Sequence, residues 1–133
     1  MKNVCIVLKD TLLQRCSGSS FQSSDGRVIE WIYNRHFTCN SKNALYVVVC
    51  NHTPDAYLGK TDDVKQRMYK HASDVRLPHN SKCRECSEHL RDCSRLIEPY
   101  FSMYPFYYED DPHARHTIER RFIMLWKPSL NGQ

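Results

Sequence analysis

The sequence predicts a small α/β (α+β) domain with the element order β-β-α-α-β-α. Three observations carry this prediction. The chain has 133 residues, a length that suits a single domain. Hydrophobic residues make up 41% of it and include 8 Tyr, 5 Phe and 2 Trp, which is enough for one modest core. Runs of β-branched and aromatic residues alternate with segments whose apolar residues recur at helical spacing.

The first two core strands are predicted to form an antiparallel hairpin. Residues 45–50 are a continuous β-branched and aromatic run, typical of a strand buried on both faces. Residues 51–55 have turn chemistry, and residues 56–59 restart a strand after a gap too short for a crossover connection. An earlier segment, residues 28–33, is also rich in strand-forming residues.

Helices are predicted next. The run Thr-Asp-Asp at 61–63 supplies capping oxygens and negative charge to open the first one. Its buried stripe is Val64, Met68 and Ala72, and a neighbouring face carries Arg67 and His71. A second helix is expected near 88–97, an edge strand over 100–108 around Pro105, and a last helix over 112–126. The apolar stripe of the last helix is Ala114, Ile118, Phe122 and Leu125.

Charge and hydropathy limit the partners. The net charge of +4 permits a nucleic-acid partner without requiring one. The longest apolar run, residues 44–50, is far shorter than the roughly 18 residues that a membrane-spanning helix needs. The apolar stretch at the start ends at Lys9, before it reaches the length of a secretory core. We therefore expect an intracellular protein with no membrane partner.

The seven cysteines exclude a fully paired disulfide framework, since their number is odd. Four zinc-type ligands lie close together in Cys83-x-x-Cys86-x-x-His89-x-x-x-Cys93. One interpretation is a structural zinc site that orders residues 83–93. The other is that Cys83 and Cys86 are exposed thiols while His89 and Cys93 pack in the core. The cysteines without comparable spacing are Cys5, Cys16, Cys39 and Cys50, of which Cys50 is expected to pack in its strand.

Five short motifs occur in a fixed order along residues 44–131. They are Ala44-Leu45-Tyr46, Tyr57-Leu58-Gly59-Lys60-Thr61, Arg67-x-x-x-His71, Glu119 and Pro128-x-Leu130-Asn131. Together they resemble the GIY-YIG nuclease domain, a small fold with a three-stranded antiparallel sheet flanked by helices. Alanine stands at position 44 in place of the family's first glycine. A strand accepts this change unless φ is positive there, so we expect the site to survive.

The resemblance implies a metal-dependent DNA endonuclease that hydrolyses a phosphodiester bond and nicks one strand per engagement. Glu119 would hold one divalent cation, Mg²⁺ or Mn²⁺, with water completing the coordination. Arg67 would grip the scissile phosphate. Either Tyr46 or Tyr57 would position and deprotonate the attacking water. The supporting residues would be Lys60, His71 and Asn131, with Gly59 allowing a tight backbone.

Within that family, the nuclease domain of Penelope-like retroelements is the most similar in pattern. The segments that carry this narrower resemblance are residues 37–46, His89-Leu90-x-x-Cys93, residues 104–108, and Arg121-Phe122-Ile123 ahead of Lys127-Pro128. It implies target cleavage for a retroelement, nuclear localisation, and a parent protein that carries a reverse transcriptase domain. Residues 1–43 would then be a lead-in to the nuclease domain at 44–131.

Two other functions fit the same sequence. A catalytically silent nucleic-acid-binding module on this fold would share the basic surface and the salt-dependent binding. A small zinc-stabilised interaction domain would bind zinc without nucleic acid, through the aromatic residues at 104–108. The joint presence of Tyr46, Tyr57, Arg67 and Glu119 favours the enzyme.

Overall fold

The computed structural model describes residues 20–132, and a long strand lies at the centre of their main sheet. The architecture is mixed α+β, as predicted. The strands are β1 (Phe21–Gln22), β2 (Val28–Ile29), β3 (Lys42–Cys50), β4 (Ala56–Asp63) and β5 (Phe101–Tyr108). The helices are α1 (Val64–Arg76), α2 (Arg84–Cys93) and α3 (Pro112–Trp126), with a 3₁₀ turn at Pro78–Asn80.

The main sheet has the order β4-β3-β5, and both pairs are antiparallel. The predicted hairpin is confirmed, with Tyr46 opposite Gly59 and Val48 opposite Tyr57. β5 is an edge strand, as its proline predicted, and a bulge between Leu45 and Tyr46 adjusts its register. Burial of five successive β3 residues, 44–48, explains why this strand has no polar face.

The segment before β3 contributes to the same core. Phe21, Trp31, Tyr33 and Phe37 are buried, and the Trp31 ring lies 5.4 Å from that of Tyr104. Burial of each large aromatic side chain favours folding by about 2 kcal/mol. The described part of the lead-in, residues 20–43, therefore packs with the predicted nuclease segment instead of standing apart from it.

The element boundaries differ from prediction in three places. The strand expected over 28–33 covers only β2, although the side chains after it still alternate, with Trp31 and Tyr33 buried and Ile32 exposed. The first helix begins at Val64, with the Asp63 carboxylate accepting a hydrogen bond from the Gln66 amide, while residues 61–63 still belong to β4. The second helix runs over Arg84–Cys93, four residues earlier than expected, because the Ser81 hydroxyl accepts the Cys83 amide just before it.

Helix α3 has the predicted bounds, but Leu125 was wrongly placed in its buried stripe and is 64% exposed. Trp126 takes that position and packs 5.2 Å from the Phe106 ring. No helix in residues 20–132 is long and apolar enough to cross a bilayer. Cys5, Cys16 and the apolar stretch near the start lie outside the described residues.

Gly59 is required by a close approach and not by its backbone angles. A Cβ atom at this position would lie 2.6 Å from the Tyr46 Oη and 2.7 Å from its Cζ. The Tyr46 ring thus lies directly across the β4 backbone, in space that any side chain at position 59 would fill.

Gly59→Ala is expected to lower the free energy of unfolding by about 1–3 kcal/mol, because the added methyl group overpacks this contact. Urea denaturation measures the change. In a Tyr46→Leu background, which lacks the two closest atoms, the same substitution should cost clearly less. An equal cost in both backgrounds would contradict the close-approach explanation.

Candidate active site and metal centre

The Tyr46 hydroxyl is the centre of a buried polar group. Its Oη accepts a hydrogen bond from Arg67 Nε at 3.0 Å and lies 2.8 Å from His71 Nε2. Arg67 can only donate, so the phenol proton is directed to His71. This requires the tautomer of His71 that carries its own proton on Nδ1. The i, i+4 spacing of Arg67 and His71 on α1 brings both side chains to one phenol oxygen, as their shared face predicted.

Burial keeps Tyr46 and His71 uncharged, so Arg67 carries the charge of this group. Desolvation, with the Arg67 charge adding to it, lowers the pKa of His71 to about 3. Desolvation and the neighbouring Tyr57 raise the pKa of Tyr46 well above its usual value. At neutral pH the pair therefore consists of a phenol that donates and an imidazole that accepts.

A cleft of about 820 Å³ opens above this group. Three of the predicted site residues, Tyr57, Glu119 and Asn131, line it. Tyr46 has no exposed surface and lies beneath them, with its ring centroid 6.3 Å from that of Tyr57. Of the two candidate tyrosines, Tyr57 is therefore the one that faces the cleft.

Glu119 projects from α3 toward β4, and its side chain is 13% exposed. Burial raises the pKa of its carboxyl group, and the positive charges of Lys60, His116, Arg120 and Arg67 act in the opposite direction. Lys60 and Arg67 line a separate depression of about 320 Å³. The carboxylate that lines the cleft is thus influenced by cations from β4, α1 and α3.

Asn131 holds the end of the described chain against the outer edge of β4. Its Oδ1 accepts the Leu58 amide and its Nδ2 donates to the Leu58 carbonyl, both at 2.9 Å. The Leu130 amide also donates to the Ala56 carbonyl. The Asn131 side chain therefore satisfies backbone groups at the free edge of β4, as a further strand would do. These bonds hold the backbone next to Tyr57 in place.

The predicted zinc ligands are only partly brought together. His89 and Cys93 lie in one group, but its third member is Cys50, and the three ligand atoms are within 4.8 Å of one another. In the described part of the chain this is the one group of three or more His, Cys, Asp or Glu ligands with such spacing. Cys50 is buried in its strand as expected, yet it also faces α2.

The Cys50 sulfur accepts hydrogen bonds from the turn that follows its strand. Its Sγ accepts the backbone amides of His52 and Thr53, each at 3.4 Å. The Thr53 hydroxyl lies 2.9 Å from His89 Nε2 and donates to Asp55, whose carboxylate is 3.8 Å from the same nitrogen. The Asp55 carboxylate is therefore close to one of the three ligands, His89. Burial and the neighbouring Cys50 raise the pKa of the Cys93 thiol to about 11, so metal binding must displace its proton.

Cys83 and Cys86, two of the four predicted ligands, lie outside this group. Cys83 is the N-cap residue of α2 and lines the large cleft, 3.4 Å from the Ser81 hydroxyl. Cys86 is fully buried, and desolvation raises the pKa of its thiol. The sequence pattern missed Cys50 because it considered ligand spacing along one segment. One feature of the sequence could have indicated Cys50: it is the last residue of a predicted strand, and the turn that follows it has backbone N–H groups that can bond its sulfur.

The chain matches no family model, no curated protein and no solved structure. What the site can do therefore follows from its geometry and from the resemblance of its motifs.

His71 should make stability depend on pH. The unfolded chain takes up a proton on this residue near pH 6.5, while the folded chain resists protonation down to about 3. The stabilisation is fully present above pH 6.5 and is lost as pH falls. Between pH 7 and pH 5 we expect a loss of about 2 kcal/mol from this group.

The measurement is urea denaturation at both pH values, beside His71→Gln, which keeps an acceptor but cannot titrate. The fall in unfolding free energy should be about 2 kcal/mol smaller in this variant. The same fall in both proteins would rule out His71 as its source.

Proposed function

We propose that this chain is a metal-dependent DNA endonuclease that hydrolyses one phosphodiester bond per engagement and so nicks its substrate. The observation that carries the proposal is convergence. Residues from β4, α3 and the C-terminal segment line one cleft, and Arg67, which lines a separate depression, acts electrostatically on both Tyr57 and Glu119. These residues are distant in sequence, and they are the ones that the resemblance to the GIY-YIG domain singles out. Cleavage for a retroelement, in the nucleus and beside a reverse transcriptase, belongs to the same proposal.

The chemistry of Glu119 fits a hard divalent cation. A largely buried carboxylate that lines an open cleft supplies one anionic oxygen ligand and leaves room for water and phosphate oxygens, as Mg²⁺ requires. When bound, such an ion neutralises charge on the phosphate and acidifies its coordinated water. In the absence of the ion, burial raises the pKa of Glu119. A bound cation would favour the ionised carboxylate.

Arg67 is prepared to bind a phosphate. One of its five N–H donors is taken by Tyr46, which holds the guanidinium plane in place. The terminal nitrogens suit a bidentate contact with two phosphate oxygens. Tyr46 and His71 are positioning residues in this scheme, because they act through Arg67 and do not face the cleft.

Tyr57 faces the substrate. Burial raises the pKa of its phenol above the usual value, so the hydroxyl is protonated at neutral pH. In the proposed mechanism its oxygen therefore orients the attacking water. To accept a proton from that water, Tyr57 would have to be a phenolate, and positive charge beside the ring would lower its pKa toward that state. Arg67 supplies part of this positive charge.

Plasmid nicking tests the proposal. Purified protein should convert supercoiled to open-circular DNA with Mg²⁺ and not with chelator. Glu119→Gln should lower the rate at least about 100-fold, because the variant loses the anionic ligand while keeping the shape of the side chain. The matched control is Glu85→Gln, since Glu85 lines the same cleft but belongs to no motif.

No nicking by folded wild type, across several divalent metals, would refute the enzyme and favour a binding module on the same fold. Equal losses in the Glu119 and Glu85 variants would mean that charge in the cleft matters but Glu119 has no special role.

We further propose that Cys50, His89 and Cys93 hold a structural zinc ion. Two thiols and an imidazole are zinc's usual protein ligands, and the Asp55 carboxylate or a water would complete four-coordination. The ion would link the end of β3 to the last turn of α2. This proposal keeps the zinc expected from the sequence but replaces two of its ligands.

Metal analysis after purification in chelator-free buffer should find about one zinc per chain. Cys93→Ser should abolish it, while Cys83→Ser should retain it. Metal-free protein with two fewer titratable thiols would instead indicate a disulfide between Cys50 and Cys93, and zinc loss on Cys83→Ser would restore the original ligand set.

A further inference from the structure

Positive charge is concentrated on two walls of the large cleft. Lys82 and Arg84 flank the start of α2 on one side, and Arg120 and Lys127 belong to the second half and end of α3 on the other. These four cations share the cleft with two acids, Glu85 and Glu119, and the proposed function assigns Glu119 to a cation. Arg84 is paired with Glu88 and Lys127 lies 4.0 Å from Asp25, so part of this positive charge is already balanced, and Lys82 and Arg120 carry most of the argument. A polyanion that enters the cleft would thus meet cations on both sides.

The cleft also has an apolar side that a phosphate backbone cannot use. Ile123, Met124 and Leu130 line it together with the Tyr57 ring. Met124 is 70% exposed, whereas Phe122 and Trp126 on the same helix are partly buried against the core. A large apolar side chain held open beside four cations indicates a ligand with both an anionic and an apolar surface.

Duplex and unpaired DNA differ in this respect. A duplex presents phosphates on its outside and stacks its bases within, whereas an unpaired strand offers phosphates and base faces together. The size of the cleft agrees, because about 820 Å³ is the volume of a small-molecule pocket, enough for about one or two nucleotides.

We propose that the cleft binds an unpaired segment of DNA, with its phosphates on Lys82, Arg120 and Lys127 and a base face against Met124 and Tyr57. The inference rests on the proposed function in two respects: that the nucleic acid is DNA, and that it is cut beside Glu119. It narrows the substrate class from DNA in general to single strands, flaps or frayed ends.

Fluorescence anisotropy with the full chain carrying Glu119→Gln, in chelator, tests binding without cleavage. The probes are a labelled 20-nucleotide single strand, the blunt duplex of the same sequence, and that duplex with a single-stranded flap. We expect the single strand and the flap to bind at least about tenfold more tightly than the blunt duplex. Equal affinity, preference for the duplex, or no binding of any probe would overturn the proposal.

Neighbouring residues on α3 give matched controls. Met124→Ser should weaken binding of the single strand several-fold and leave the duplex unchanged, whereas Leu125→Ser should change neither, because Leu125 is similarly exposed but does not line the cleft. Arg120→Gln should reduce the salt dependence for the single strand by about 0.7 in log–log slope, and Arg121→Gln should not. Equal effects within either pair would overturn the placement of the strand.

Failure of this inference can be told apart from failure of the nuclease. Tight binding of single strands without cleavage by wild type would refute the enzyme alone. Cleavage within duplex DNA, with no preference for unpaired probes, would refute the substrate class alone.

Discussion

The contact between the Tyr46 ring and Gly59 is the constraint on which the site depends. The ring crosses the β4 backbone and reaches α1, where its hydroxyl meets both Arg67 and His71. A single phenol therefore joins β3, β4 and α1. Any side chain at position 59 would displace the ring, and with it the hydrogen bond that orients Arg67. The packing of the hairpin and the orientation of Arg67, the residue proposed to bind phosphate, thus have one physical cause.

Helix α2 connects this site to the proposed metal centre. Tyr46 and Cys50 lie on the same face of β3, because four residues separate them in a strand. His89 and Cys93 occupy the second half of α2 beside Cys50, while the residues at its start line the cleft. Ten helical residues span about 15 Å, so the helix reaches from one centre to the other. Ligation at one end would fix the cleft wall at the other.

The aromatic residues ahead of β3 support the opposite face of the fold. The Trp126 ring packs between two phenylalanines. Its centroid lies 6.2 Å from that of Phe21 and 5.2 Å from that of Phe106. The lead-in hairpin also bonds to the end of α3 through the Lys127 and Leu125 carbonyls. Because α3 carries Glu119, the carboxylate is held against the sheet in part by Phe21 and Trp126, which belong to none of the segments that carry the resemblance.

The sequence by itself determined the elements whose signal is local. A continuous apolar run specified β3, a proline and a period of 3.6 specified α3, and four-residue spacing placed Arg67 and His71 on one face. It also determined the hairpin, since a short turn permits only antiparallel pairing. The boundaries of α2 escaped it, because the side chain of Ser81 organises the start of that helix.

Only the tertiary structure decided which distant groups meet. It placed Tyr57 in the cleft and left Tyr46 fully buried, and it brought Cys50 to His89 and Cys93, which lie 39 and 43 positions later in the chain. Spacing along a sequence reports neighbours on one element. Contacts between elements depend on how helices pack on a sheet, and that packing is set by the whole core at once.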